Sequence, residues 1–308
     1  MAAKEFSLEE AVVAFGLQFK DDFSVSRPPY WNVEEIAETK GFEPSPCLTP
    51  LMESYSCNFD RTSEAGCRTA VDFILNECLT AMRSQKRNTS PPSSTSQSSI
   101  GSRAKSDDQT TDERSMRTPP PFQDIKVFGG VSFSHKINAT KGALFWGVTV
   151  NGRVDHGIGR TITSFRHSGK RNFQSLLLLV EAKTKGSIDE ALAQLVVYLG
   201  SLHQSRLSRH RSDASVYGVA SDGYLFTFVT ITHEGVLKRS KQFNIMEHPE
   251  DLVTVLGCLK YLLEKSASIT PNLIPKRNGG HALDGDGDED PAFDLDDNEF
   301  MHPPPDDD

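Results

Sequence analysis

Residues 150–204 read VNGRVDHGIGRTITSFRHSGKRNFQSLLLLVEAKTKGSIDEALAQLVVYLGSLHQ, and three features of this stretch decide the fold. A polar strand leads up to an acid, Asp155. The apolar run Leu176–Val180 passes directly into Glu181-Ala182-Lys183. A helix then starts at Ser187, where Glu190 has capping-box spacing and apolar residues recur at Ile188, Ala191, Leu192, Leu195, Val196, Leu199 and Leu202. A continuous apolar strand that feeds a helix and then a second apolar strand is the pattern of a βαβ unit, with the strand covered on both faces.

The strands outside this stretch follow from their own residues. IKVFGGVSF and GALFWGVTV are rich in β-branched and aromatic residues, Gly129-Gly130 suggests a bulge or bend, and Asn151-Gly152 is a hairpin-turn signal. VYGVASDGYLFTFVTIT reads as two strands about the turn Ser221-Asp222-Gly223. Helices are expected over residues 7–20, capped by Ser7 with Glu10, and over 63–84, where Cys67, Val71, Ile74, Leu75, Cys78 and Met82 form one stripe. A last helix is expected over about Pro249 to Lys265. Residues 21–62 read as irregular with one short helix. The expected order is helix, three strands, helix, two strands, helix: an α/β domain with a mixed sheet.

Composition sets the boundaries. Residues 85–121, with abundant Ser, Thr and Pro, bury too little apolar surface to offset the entropy of ordering, and a disordered insertion is expected there. Ser90-Pro91 and Thr118-Pro119 within it have the form of proline-directed phosphorylation sites. The formal charge of -9 is misleading, because residues 279–308 hold twelve acidic and no basic residues. Without them, 33 basic face 30 acidic residues, leaving a mildly basic body with an acidic tail. The tail is no calcium loop: counted from Asp284, Glu289 takes the sixth position, which needs glycine, and Leu295 the twelfth, which needs glutamate. This divides the chain into an N-terminal helical and irregular extension (1–62), an α/β domain (63–270) and a disordered acidic tail (271–308).

No apolar run reaches the ~18 residues of a membrane span, and MAAKEFSLEEAVVAF carries acids where a signal peptide needs a clean apolar core. The cysteines at positions 47, 57, 67, 78 and 258 form no CxxC pair. Reduced thiols in an intracellular protein, nuclear or cytoplasmic, are expected.

Chemistry concentrates where the argument began. Glu181 and Lys183, two apart on a strand, share a face, and charges at the end of an apolar run are costly unless they pair or hold an ion. Two carboxylates suit Mg²⁺, which completes its shell with water and phosphate oxygens. Asp155 and Glu181 would supply them, with Lys183 steadying developing negative charge. Gln194 and Tyr198, at i and i+4, lie together at one edge of the helix's apolar arc.

Asp155, Glu181-x-Lys183 and Gln194-x-x-x-Tyr198 together resemble the PD-(D/E)XK nuclease superfamily, in particular its RecB-like members with a QxxxY helix. The wider run is similar to fungal proteins that carry such a domain. The resemblance covers roughly Ser63 to Lys265. It implies a restriction-endonuclease-like core, a central mixed sheet flanked by helices. It further implies Asp155 and Glu181 as Mg²⁺ (or Mn²⁺) ligands, Lys183 as the catalytic lysine, and Gln194 and Tyr198 supporting the site. The family often adds an acid from the first core helix: Glu64 is the first candidate, with Asp72 and Glu77 as rivals. Val154 stands where the family's pattern has proline. The partner implied is nucleic acid, DNA first. Basic clusters at Arg160, Arg166, His167, Lys170 and Arg171, at Arg206, Arg209, His210 and Arg211, and at Lys238, Arg239 and Lys241 have the composition of phosphate contacts. A fold that binds nucleic acid or protein without cutting is the alternative.

Overall fold

The apolar run forms strand β3 (Leu176–Ala182), in the middle of a six-stranded sheet of order β1-β2-β3-β4-β5-β6. The structure, a computed structural model, describes residues 1–18, 31–60, 62–89, 125–137, 144–160 and 176–269. The remaining strands are β1 (Ile125–Lys136), β2 (Thr149–Arg160), β4 (Val216–Ser221), β5 (Leu225–Ile231) and β6 (Leu237–Asn244). The helices are α1 (Leu8–Ala14), α2 (Glu34–Lys40), α3 (Leu48–Asn58), α4 (Glu64–Thr89), α5 (Ile188–Ser208) and α6 (Pro249–Ile269).

All neighbours pair antiparallel except β3 and β4, which run parallel and are joined through α5. This is an α/β fold with a mixed sheet flanked by helices. Leu178, Val180 and Ala182 face a cluster with α2, α3, α4 and α6, whereas Leu179 faces a second cluster with α1 and α5. Burial on both faces is why β3 is continuously apolar rather than alternating. The whole α4 stripe from Cys67 to Met82 is buried in the first cluster or beside it. The N-terminal segment belongs to the second cluster through Phe6, Val12 and Phe15, with Ser7 and Glu10 forming the expected capping box.

Several expectations need correction. Asn151-Gly152 lies inside β2, opposite Ser134 and Phe133, and is no turn. Glycine is required there by close packing: a Cβ on Gly152 would stand 2.6 Å from the Phe133 ring and 2.7 Å from that of Tyr198. The turn falls earlier, over residues 144–147, so this part of the stretch read as a strand is a turn, ending at Gly147, whose φ is 75°. Of the bulge or bend expected at Gly129-Gly130 the structure has the bend: Gly130 takes a left-handed φ of 60° and leaves the β1–β2 register unshifted. Residues 31–60 contain two helices, α2 and α3, where one was expected. Ser187 is the N-cap of α5, yet its side chain makes no capping hydrogen bond.

A further strand, β6, takes up Lys238, Arg239 and Lys241, which were expected to follow the last strand. Lys241 pairs with Glu34 and lies 5.1 Å over the Phe243 ring. Arg206 is buried, donating to Leu176 O at 2.9 Å and to Ser215 O, so it ties α5 to β3 and to the segment entering β4 and is not a nucleic-acid contact. α4 runs on to Thr89. The rest of the expected insertion, the acidic tail, and the basic residues Arg166, His167, Lys170 and Arg171 lie outside the described residues. No helix among the described residues is long and apolar enough to cross a membrane, and none of the five cysteines is in a disulfide.

Candidate active site

Asp155, Glu181, Lys183, Gln194, Tyr198 and Glu64 converge on one cleft of about 1370 Å³, floored by the middle of β2 and the end of β3 and walled by α4, α5 and the N-terminal segment. Strand register does the first part of this work. His156 pairs with Val180 across the antiparallel β2–β3 ladder, so one step on, Asp155 comes level with Glu181. Residues opposite each other on such a ladder project to the same side. The Ala182 N–H then donates to Asp155 Oδ2 at 2.8 Å, which fixes the aspartate against the β3 end.

Glu181 is 0% exposed. Its Oε1 accepts from Lys183 Nζ at 2.9 Å, while its Oε2 is buried with no hydrogen-bond partner. Burial first, and the adjacent Asp155 second, push the Glu181 carboxyl up to about 8, against the pull of Lys183. Burial works against the Lys183 ammonium, but Glu181, with Glu64 and Asp155 behind it, outweighs burial and raises its pKa. Lys183 is therefore held as a cation, and its backbone is tied to β4 by donation to Ser221 O at 2.9 Å.

The three rival acids of α4 separate clearly. Glu64, in the first turn, approaches Lys183 Nζ at 3.7 Å and pairs with Arg68 one turn on. Asp72 accepts from or pairs with His156 Nε2 at 2.9 Å, at the edge of the cleft. Glu77 is remote from it, bound to the Ser45 backbone N–H at 2.6 Å and to its hydroxyl at 2.9 Å. Gln194 donates to the Tyr198 hydroxyl, which donates to Arg153 O at 3.1 Å. This chain holds β2 against α5 just before Asp155. Burial pushes the Tyr198 phenol far up, so it stays neutral.

Two residues escaped the sequence reading. Arg68 ion-pairs with Asp155 Oδ1 at 2.5 Å as well as with Glu64. His156, buried next to Asp155 in sequence, keeps its Nδ1 without a partner. Position i+4 from Glu64 was the available signal for Arg68.

These donors fit a divalent cation in part. A buried, unpartnered carboxylate oxygen beside a second carboxylate is a hard-oxygen site short of positive charge. Among the described residues, however, no three or more His, Cys, Asp or Glu side chains are grouped to hold a metal. Glu64, the expected third ligand, is turned to Arg68 and Lys183. Seven acidic and five basic side chains line the described cleft, so a polyanion would meet net repulsion there without an added cation. A scan against protein-family models matches none of them, and a search of curated proteins finds no similar chain.

Proposed function

We propose that this chain is a Mg²⁺-dependent nuclease with a restriction-endonuclease-like core, hydrolysing phosphodiester bonds in nucleic acid, DNA first, with Mn²⁺ as an alternative ion. One observation carries the reading: the buried, unpartnered Oε2 of Glu181 lies beside Asp155, with Lys183 bonded to the other oxygen of the same carboxyl. The element order supports it too, since a helix, three antiparallel strands, a helix and a parallel strand bring the D, ExK and QxxxY residues to one cleft.

Asp155 and Glu181 are the ligands that would hold the ion, which when bound supplies Lewis-acid charge to a phosphodiester and acidifies water. Lys183, held protonated, donates rather than accepts, so its role is to orient the attacking water and offset charge building on the phosphate. Tyr198 and Gln194 act as positioning residues through the Arg153 carbonyl. A second reading, a nuclease-like module that binds nucleic acid or protein without cutting, draws on one observation: Arg68 already neutralises Asp155.

Incubation of plasmid, linear duplex, single-stranded DNA and RNA with Mg²⁺, Mn²⁺ or EDTA tests the proposal, with Lys183→Ala and Glu181→Ala alongside. Metal-dependent cleavage by the wild type that both variants lose is the expected result. Equal inertness of all three proteins on every substrate would leave only the binding module.

A further inference from the structure

Asp155 and Glu181 are satisfied in different ways, and the difference exposes a role for Arg68. Asp155 has both oxygens engaged, Oδ2 by the Ala182 N–H and Oδ1 by the Arg68 guanidinium. Glu181 has one oxygen engaged by Lys183 and the other bare in a buried position. Arg68 is committed to Asp155 and Glu64 and leaves that bare oxygen unserved. A cation that joined the two carboxylates would satisfy Glu181 but would have to take Asp155 Oδ1 from Arg68.

The side chain is built to give way. It stands in the second turn of α4, its side chain is 44% exposed, and Glu64 anchors it from one turn earlier. The guanidinium can therefore leave Asp155 while keeping its other partner. The pair is open to solvent on its arginine side, where water can replace Asp155 as a partner, whereas an ion of twice the charge between two buried carboxylates holds strongly.

We propose that Arg68 is a displaceable internal cation, which neutralises Asp155 while the site is without metal and yields it when a divalent ion bridges Asp155 and Glu181. This rests on the reading of the site as a metal centre. It makes metal binding an exchange reaction, in which the affinity of the site for Mg²⁺ or Mn²⁺ is set by a residue that is not itself a ligand. It also keeps two neighbouring carboxylates from repelling each other in the empty site.

Isothermal titration of the full chain with Mn²⁺ tests the exchange directly, with thermal melts in EDTA and in Mn²⁺ as a second readout. Arg68→Gln keeps the length and polarity of the stem and removes the charge. It is expected to bind Mn²⁺ about tenfold more tightly than wild type, the gain from no longer displacing a charge that is solvent-exposed on the arginine side only. It is also expected to melt lower than wild type in EDTA and to recover that loss in Mn²⁺, a rescue that a merely structural arginine would not show. Arg68→Lys, which keeps a weaker competing charge, is expected between the two and serves if the glutamine variant does not fold. Equal or weaker Mn²⁺ binding by the variants, with measurable binding by wild type, overturns the exchange and leaves the metal centre standing. Binding by neither wild type nor variants overturns both.

Discussion

Glu181→Gln is the most informative single change, because it separates the charge of the buried carboxyl from its shape. In the folded protein the Glu181 carboxyl is raised from 4.5 to about 8. Between those values the folded state binds more protons than the unfolded state, so stability must fall as pH rises. One proton's difference gives a slope of about 1.4 kcal/mol per pH unit. Going from pH 5.5 to 7.5 in EDTA, Glu181 should cost the wild type about 2–3 kcal/mol on this slope. Glutamine is neutral throughout and nearly isosteric, so its curve should lack that component. Lys183 would lose the charged partner at 2.9 Å, with at best a neutral amide oxygen in its place, but keep Glu64 at 3.7 Å. Urea unfolding of both proteins at several pH values, in EDTA, measures the difference of slopes. The variant should equal or exceed wild-type stability at pH 7.5 and should gain nothing from Mg²⁺, whereas the wild type should gain most at the higher pH. Parallel pH profiles for the two proteins would refute the reasoning, since they would mean that Glu181 ionises as freely in the fold as in the unfolded chain.

Other changes probe separate parts of the account. Lys183→Ala should lower cleavage at least about 100-fold while Mn²⁺ titration still reports a bound ion, the loss typical of a removed polar group at the reacting centre. Tyr198→Phe removes the hydroxyl that links Gln194 to the Arg153 carbonyl and should destabilise by about 1–2 kcal/mol in urea. Gly152→Ala should cost about 1–3 kcal/mol, because its methyl would press on the Phe133 and Tyr198 rings. Arg206→Met leaves the carbonyls of Leu176 and Ser215 without their donor and should destabilise by about 2–3 kcal/mol. Its affinity for DNA, measured by fluorescence anisotropy under folding conditions, should stay at the wild-type level.

What could be read from the residues was what local period and burial determine together. The α4 stripe, the continuous apolar run of β3 and the start of α5 are each a one-dimensional signal of a face or faces that must be buried. The convergence of Asp155, Glu181 and Lys183 was legible because strand order fixed which strands lie side by side, although β2 runs on past Asp155 to Arg160 and does not end on the acid. Gly152 misled because its turn chemistry and its packing role look identical in sequence; the Phe133 and Tyr198 rings against it distinguish them. β6 was missed because its buried positions, Leu237, Ser240 and Phe243, fall three apart. A register shift between Thr227 and Val229 breaks the period of two, and Ser240 fills it by accepting from the Phe228 N–H. The roles of Arg68 and Arg206 were hidden for another reason. Each has a partner on another element, Asp155 on β2 for Arg68 and Leu176 on β3 for Arg206, and composition alone makes both look like solvated charge.

The central claim is that Asp155 and Glu181 form a cation site from which Arg68 withdraws. The most direct measurement is anomalous diffraction from crystals of the wild-type protein soaked in Mn²⁺. A single anomalous peak within bonding distance of Asp155 Oδ1 and Glu181 Oε2, with the Arg68 guanidinium moved off Asp155 and still on Glu64, is the expected result. Arg68 unmoved on Asp155, with Glu181 Oε2 still bare and no peak between the carboxylates at saturating Mn²⁺, would contradict the claim.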